Sequence, residues 1–143
     1  SENVFDLVLD KMVKDQEKPN VVTFGCMLNA CIHSGYLAEG QACFLFMARD
    51  YGLIPTIELY TCLVDLIARA GQLDNALWII NALPIQPTTI VWNTLLGACK
   101  KWSDFGIGQE AFQNALGMDE NDGAAYVCMY NIYADISKET CAH

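Results

Sequence analysis

Seven cysteines, Cys26, Cys31, Cys43, Cys62, Cys99, Cys128 and Cys141, are the side chains of this sequence best suited to nucleophilic, disulfide or zinc chemistry. Their number is odd, no two form a Cys-x-x-Cys pair, and most lie inside apolar runs with helical spacing. That pattern describes small buried hydrophobes in a reducing compartment rather than a disulfide scaffold or a zinc site. The two histidines add little: His33 precedes Ser34 and Gly35 at a helix end, where it is better suited to cap carbonyls than to bind metal, and His143 is terminal. No glycine-framed nucleophile and no phosphate-cradling loop appears. The expectation is a chain with no enzymatic activity, no metal and no cofactor.

Charge and composition narrow the partners. Eight Lys and Arg against seventeen Asp and Glu leave a formal charge of −9, the opposite of the basic footprint of a stand-alone nucleic-acid binder. With 143 residues, 53% of them apolar, the chain can bury a real core. No apolar stretch reaches the roughly 18 residues of a membrane span, and SENVFDLVLDKM has neither signal-peptide nor transit-peptide character. Three tryptophans could offer stacking surfaces. Trp92 falls in a column of core aromatics, and of the others Trp102, in a turn, is the one open to another role.

The elements that would position such residues repeat. Aligning TFGCMLNAC, LYTCLVDLI, VWNTLLGAC and AYVCMYNIY places Phe24, Tyr60, Trp92 and Tyr126 in one column, with steps of 36, 32 and 34 residues. Leu28, Val64 and Leu96 form a second column, Leu37, Leu73 and Phe105 a third, and Phe44, Ile80 and Phe112 a fourth. Apolar positions within each unit, such as Phe24, Met27, Leu28 and Cys31, recur on one face of a helix. Turn signals then break each first helix at HSGYL, RAGQL and KWSDF, and a second helix follows. A small residue near its start, Gly40, Ala76 or Gly108, allows the paired helices to approach closely. Pro19, Pro55 and Pro87 mark where the second helices have ended. The expected units are 1–20 (a second helix only), 21–56, 57–88, 89–122 and 123–143, and the expected fold is all-α: a right-handed α-solenoid of antiparallel helix-turn-helix repeats. Apolar runs at both ends, VFDLVL and VCMYNIY, suggest part of a longer protein.

Units of these lengths carrying IELYTCLVDLIARAGQLDNA and VWNTLLGAC resemble the pentatricopeptide-repeat (PPR) family, in particular the plant organellar subclass with motifs of alternating length. By resemblance, 1–20 is a partial motif, 21–56 a long-type motif, 57–88 a short-type motif, 89–122 a first extension motif, and 123–143 a partial second extension motif with a tail, SKETCAH, that matches nothing. The resemblance implies a protein of mitochondria or chloroplasts that binds single-stranded organellar RNA and selects cytidines for conversion to uridine. It also implies a deaminase domain or an editing cofactor protein as partner, and no membrane. The His-x-Glu and Cys-x-x-Cys signatures with which a deaminase holds its zinc-bound water are absent from this sequence.

In that family each motif reads about one base through the fifth residue of its first helix and its last residue. The resemblance therefore points to Gly25 with Thr56, Thr61 with Thr88, and Asn93 with Asp122, the last matching the family's uridine-preferring pair. Val22 and Ile90 match the positions that pack against base faces, where the middle unit departs with Glu58. The same polar residues equally suit helix capping, Thr56 and Thr88 at N-terminal boundaries above all. Two functions stay open. One is a segment of an RNA-editing site-recognition factor whose extension motifs position or recruit a deaminase; the other is a protein-interaction scaffold of tetratricopeptide-like repeats with no RNA contact in this segment.

Overall fold

The computed structural model describes Leu7, Asp10 to Met12, Lys14, Asp15 and residues 18–141, with side chains beyond Lys138 left aside. The expected helix over residues 1–20 lies mostly outside the described residues. All regular structure among the described residues is helical, with no strand. The helices are α1 (Val21–Ser34), α2 (Leu37–Arg49), α3 (Ile57–Arg69), α4 (Leu73–Asn81), α5 (Thr89–Trp102), α6 (Phe105–Met118) and α7 (Gly123–Cys141). The fold class is the one the periodicity implies: all-α, assembled from helix-turn-helix repeats.

Local chemistry starts and stops these helices. Asn20, Thr56, Thr88 and Asp122 stand immediately before α1, α3, α5 and α7, and each accepts a backbone N–H of the first turn, from Thr23 (3.0 Å), Leu59 (3.3 Å), Val91 (3.4 Å) and Ala125 (3.2 Å). Such caps satisfy donors that have no partner within the helix. Each first helix then ends on a residue in the left-handed region, Gly35 (φ 72°), Gly71 (φ 86°) or Ser103 (φ 54°). Glycine takes that conformation without a Cβ clash, whereas serine does so at some cost. Trp102 is the last residue of α5, so the turn itself is formed by Ser103 and Asp104.

The chain divides into two compact units, residues 1–66 and 67–143. In the first, α1 and α2 are antiparallel: the end of α2 returns to the start of α1, where the Tyr51 ring meets Phe24 edge-on at 5.4 Å. Phe24, Leu28, Cys31, Phe44 and Met47 fill the interior, with Leu59, Val64 and Leu66 of α3. In the second unit, α5 and α6 form an equivalent hairpin. The α6–α7 pair is also antiparallel, Phe112 meeting Tyr126 (5.4 Å) and Phe105 meeting Tyr133 (5.0 Å).

The small residues of the second helices work harder than their position in one hairpin implies. A Cβ on Gly40 would lie 3.3 Å from Cys31 Cβ on its partner helix and would collide with the Leu66 side chain of the next first helix. A Cβ on Gly108 would meet Cys99 Cβ at 3.3 Å and Ile132 Cδ1 at 3.1 Å. Each glycine thus admits two helices at once. Of the expected core, Phe24, Leu28, Val64, Leu73, Trp92 and Leu96 are buried, whereas Tyr60 and Phe112 are half-buried and Tyr126 is exposed. A tyrosine in the aromatic column keeps its hydroxyl near water or a surface acceptor, as Tyr126 does by donating to the Glu120 carbonyl at 3.3 Å.

Burial also sets the thiols. It is the main cause that pushes Cys43 and Cys99 up to about 12 and Cys31 up to about 11, because the thiolate would be poorly solvated there. A raised folded pKa means that the unfolded chain releases these protons first. The stabilisation is therefore complete below about pH 9 and is lost as pH climbs toward 12. At pH 8, native-state alkylation followed by mass spectrometry is expected to label the exposed Cys26 and to spare Cys31, Cys43 and Cys99 until the chain unfolds. Equal labelling of all four would contradict this core.

Candidate functional site

The residues that could contact a ligand lie on the first helices and on the residue preceding each of them. Gly25, Thr61 and Asn93 are each the fifth residue of their helix, α1, α3 and α5. Gly25 presents no side chain, and a Cβ there would make ordinary contact with Leu59 Cδ2 at 3.5 Å, so the place faces α3 without requiring a glycine. Thr61 donates its hydroxyl proton to the Ile57 carbonyl one turn back, at 2.7 Å. It retains a lone pair but has no proton left to offer.

The boundary residues are likewise engaged. Thr56 and Thr88 each use their only side-chain oxygen to cap a helix, leaving an O–H to donate. Asp122 differs because a carboxylate has two oxygens. Oδ1 accepts the Ala125 N–H at 3.2 Å to cap α7, while Oδ2 accepts the Asn93 Nδ2–H at 2.6 Å. The antiparallel return of α6 thus brings together two residues 29 positions apart in sequence.

The Asn93 amide is then half satisfied. Its Nδ2 is held by Asp122, whereas Oδ1 is buried and accepts no hydrogen bond. A buried acceptor left unpaired costs about 1–3 kcal/mol, and so marks a place where a donor would be welcome. Ile90, three residues earlier on α5, is exposed, as is Val22 near the start of α1 and Glu58 at the corresponding place on α3. Apolar side chains left in solvent beside a polar pair can pack on a flat ligand face.

Other candidates from the sequence have structural employment or none. Trp102 donates its indole N–H to the Ala68 carbonyl at 3.2 Å, and its ring lies against Gly71, where a Cβ would come within 3.2 Å. Lys101 Nζ stands 5.3 Å from the ring centroid. This tryptophan therefore binds the end of α5 to the end of α3, a role that its exposed position in the sequence pattern does not reveal. His33 is exposed in the last turn of α1, and His143 lies outside the described residues. Among the described residues no three of His, Cys, Asp and Glu gather as metal ligands would, and no helix is long and apolar enough to cross a membrane.

Residues 22–51 match the family model of the PPR repeat. Over 129 residues, 90% of this chain, it is 41% identical to a chloroplastic pentatricopeptide repeat-containing protein of Arabidopsis thaliana, of which it spans 15%. A second relative from the same plant, also named pentatricopeptide repeat-containing, is 42% identical over 87% of the chain, which spans 20% of it. A mitochondrial member of the same naming is 39% identical over 89% of the chain, with 18% of its own length spanned. The chain thus corresponds to about a sixth to a fifth of the length of these curated relatives.

Proposed function

We propose that this chain is a segment of an organellar pentatricopeptide-repeat protein, of mitochondria or chloroplasts, that binds single-stranded RNA and selects sites for C-to-U editing. In this reading residues 21–56 and 57–88 are long-type and short-type repeats. Residues 89–122 and 123–136 are extension motifs that position or recruit a deaminase. The observation that carries the RNA reading is the Asn93–Asp122 pair, which joins the fifth position of one first helix to the last position of the same unit and leaves Asn93 Oδ1 buried and unpaired. An N–H on a pyrimidine edge would satisfy that oxygen, and exposed Ile90 would pack on the base face. Uridine, with a donor at N3, fits this acceptor.

In the full-length protein, Asn93→Ala is expected to relax preference at a single nucleotide in an editing assay with single-base target variants, while changing stability by less than about 1 kcal/mol. The small stability effect follows because truncation removes an unpaired buried acceptor together with a made hydrogen bond. Unchanged preference at every position would reject the base-reading role of this unit.

A second reading is favoured by charge and by the hydroxyls. A chain of formal charge −9 gains little from counterion release, and Thr56, Thr61 and Thr88 are already engaged with backbone groups. In that reading the segment holds a protein partner and the RNA contacts lie elsewhere in the longer protein.

A further inference from the structure

We infer that the peptide bond between Asp122 and Gly123 is a site of spontaneous isoaspartate formation, and that the contacts of the Asp122 carboxylate hold the reaction in check. This is the one place in the sequence where an aspartate or asparagine precedes glycine. Such a dipeptide suits intramolecular attack, because a residue without a Cβ leaves its backbone nitrogen unshielded and its dihedrals free. The fold gives no reason of its own for glycine here. Gly123 is exposed, is not among the glycines with positive φ, and a Cβ built on it would meet nothing within 4 Å. As the first residue of α7, its N–H is also one of the donors that a helix leaves without a carbonyl partner of its own.

The reaction needs only this chain and water. The Gly123 nitrogen attacks Cγ of Asp122, and the new N–Cγ bond closes a succinimide ring. The Cγ–O bond breaks, and the oxygen leaves as water with the amide proton and one proton from solvent. A water molecule then opens the ring. Attack at the Cγ carbonyl restores aspartate. Attack at the main-chain carbonyl breaks that carbon's bond to the Gly123 nitrogen, so the chain runs through Cβ and Cγ and a free carboxylate remains on Cα. Mass and charge end as they began, and nothing is oxidised or reduced.

In the folded chain the carboxylate is occupied. Oδ1 accepts the Ala125 N–H at 3.2 Å and Oδ2 accepts the Asn93 Nδ2–H at 2.6 Å. Turning Cγ onto the Gly123 nitrogen and expelling one oxygen gives up these bonds, so the reaction runs from local openings in which the carboxylate has let go. The same contacts decide what the product does. A carboxylate joined directly to Cα lacks the methylene that carries it to Ala125 and Asn93, and the extra backbone carbon displaces the start of α7. Isomerisation therefore unfastens α7 from α5 without cutting the chain. None of this requires RNA, so the test is independent of the base-reading proposal.

The 143-residue chain is incubated at neutral pH in water labelled with heavy oxygen, native or unfolded in urea. Mass spectrometry of the peptide that spans residues 122 and 123 then follows the label that ring opening introduces, and fragmentation locates the altered linkage. The unfolded chain is expected to convert at least about tenfold faster than the native one, the factor that one hydrogen bond to a charged group implies. Asn93→Ala should raise the native rate severalfold, whereas Thr88→Ala, which removes a cap elsewhere, should not. Gly123→Ala, whose added Cβ has open space, should match the circular dichroism of the parent and lose most of the reaction. In converted chains the Ala125 amide, which Oδ1 holds, should exchange its hydrogen faster. Absence of isoaspartate from the unfolded chain would overturn the proposal, as would equal rates in native and unfolded chains. Equal acceleration by Asn93→Ala and Thr88→Ala would trace the rate to overall stability and overturn the restraint assigned to Asn93.

Discussion

Trp92→Ala is expected to destabilise the chain by about 3–5 kcal/mol, the usual cost of emptying the space of a large buried aromatic. Trp92 is 4% exposed and stands among the buried Val91, Leu95 and Leu96 of α5. The informative comparison is Tyr126→Ala in the same repeat column, where the side chain is 49% exposed and has the Phe112 ring as its aromatic neighbour. That change should cost roughly 1 kcal/mol, because little apolar area leaves the interior. Urea unfolding of the two variants and the parent measures both. Similar losses at the two sites would mean that equivalent columns are equally packed, against the burial pattern described above.

A second large effect is expected at Asp122. Its two oxygens serve two elements, one capping α7 through the Ala125 N–H and the other holding the Asn93 amide at the start of α5. Asp122→Ala removes an N-cap, worth about 1 kcal/mol, and strips a half-buried amide nitrogen of its acceptor, worth about 1–3 kcal/mol. The sum is about 2–4 kcal/mol, a large part of the stability of a small domain. Asp122→Asn keeps an oxygen for the cap and loses charge, so it should recover part of the difference. Amide hydrogen exchange at the first turn of α7 reports the cap, and denaturant unfolding reports the whole. A loss in Asp122→Ala no greater than that in Thr88→Ala, where only a cap is removed, would show that the Asn93 contact adds nothing.

The contrast between aspartate and threonine at these boundary positions also bears on specificity. A threonine that caps a helix has no second oxygen with which to hold a neighbouring side chain, so Thr56 and Thr88 cannot orient a fifth-position partner as Asp122 orients Asn93. Any readout by those units would depend on single hydroxyls: the O–H and remaining lone pair of Thr56 or Thr88, and the lone pair of Thr61.

What the sequence determined by itself is whatever depends on residues within a few positions of one another. Asn20, Thr56, Thr88 and Asp122 start helices because a side-chain oxygen can reach an N–H three residues on. Gly35 and Gly71 end them because glycine accepts positive φ without strain. The periodicity of Phe24, Leu28 and Cys31 selects the buried face of α1 for the same local reason, since side chains three and four apart share one side of a helix. All-α architecture and a repeating unit follow from those signals. The glycines at 40 and 108 were legible as places of close approach, although the second neighbour of each, Leu66 and Ile132, was not.

The tertiary structure alone decided what lies over each of those faces. One aromatic column contains Phe24 and Trp92 in the interior, Tyr60 half covered and Tyr126 in solvent. The same column type cannot reveal this, because burial depends on a helix delivered from elsewhere in the chain. Trp102 reads as a free surface aromatic until Ala68 and Gly71 are found beneath it, 34 and 31 residues away in sequence. The resemblance pairs Asn93 with Asp122 as two readers of one base, but only the return of α6 shows that they bond to each other, one carboxylate oxygen 2.6 Å from the amide nitrogen. Hydrogen bonds act over about 3 Å, so a pair separated by two helices becomes a site only when packing closes that distance.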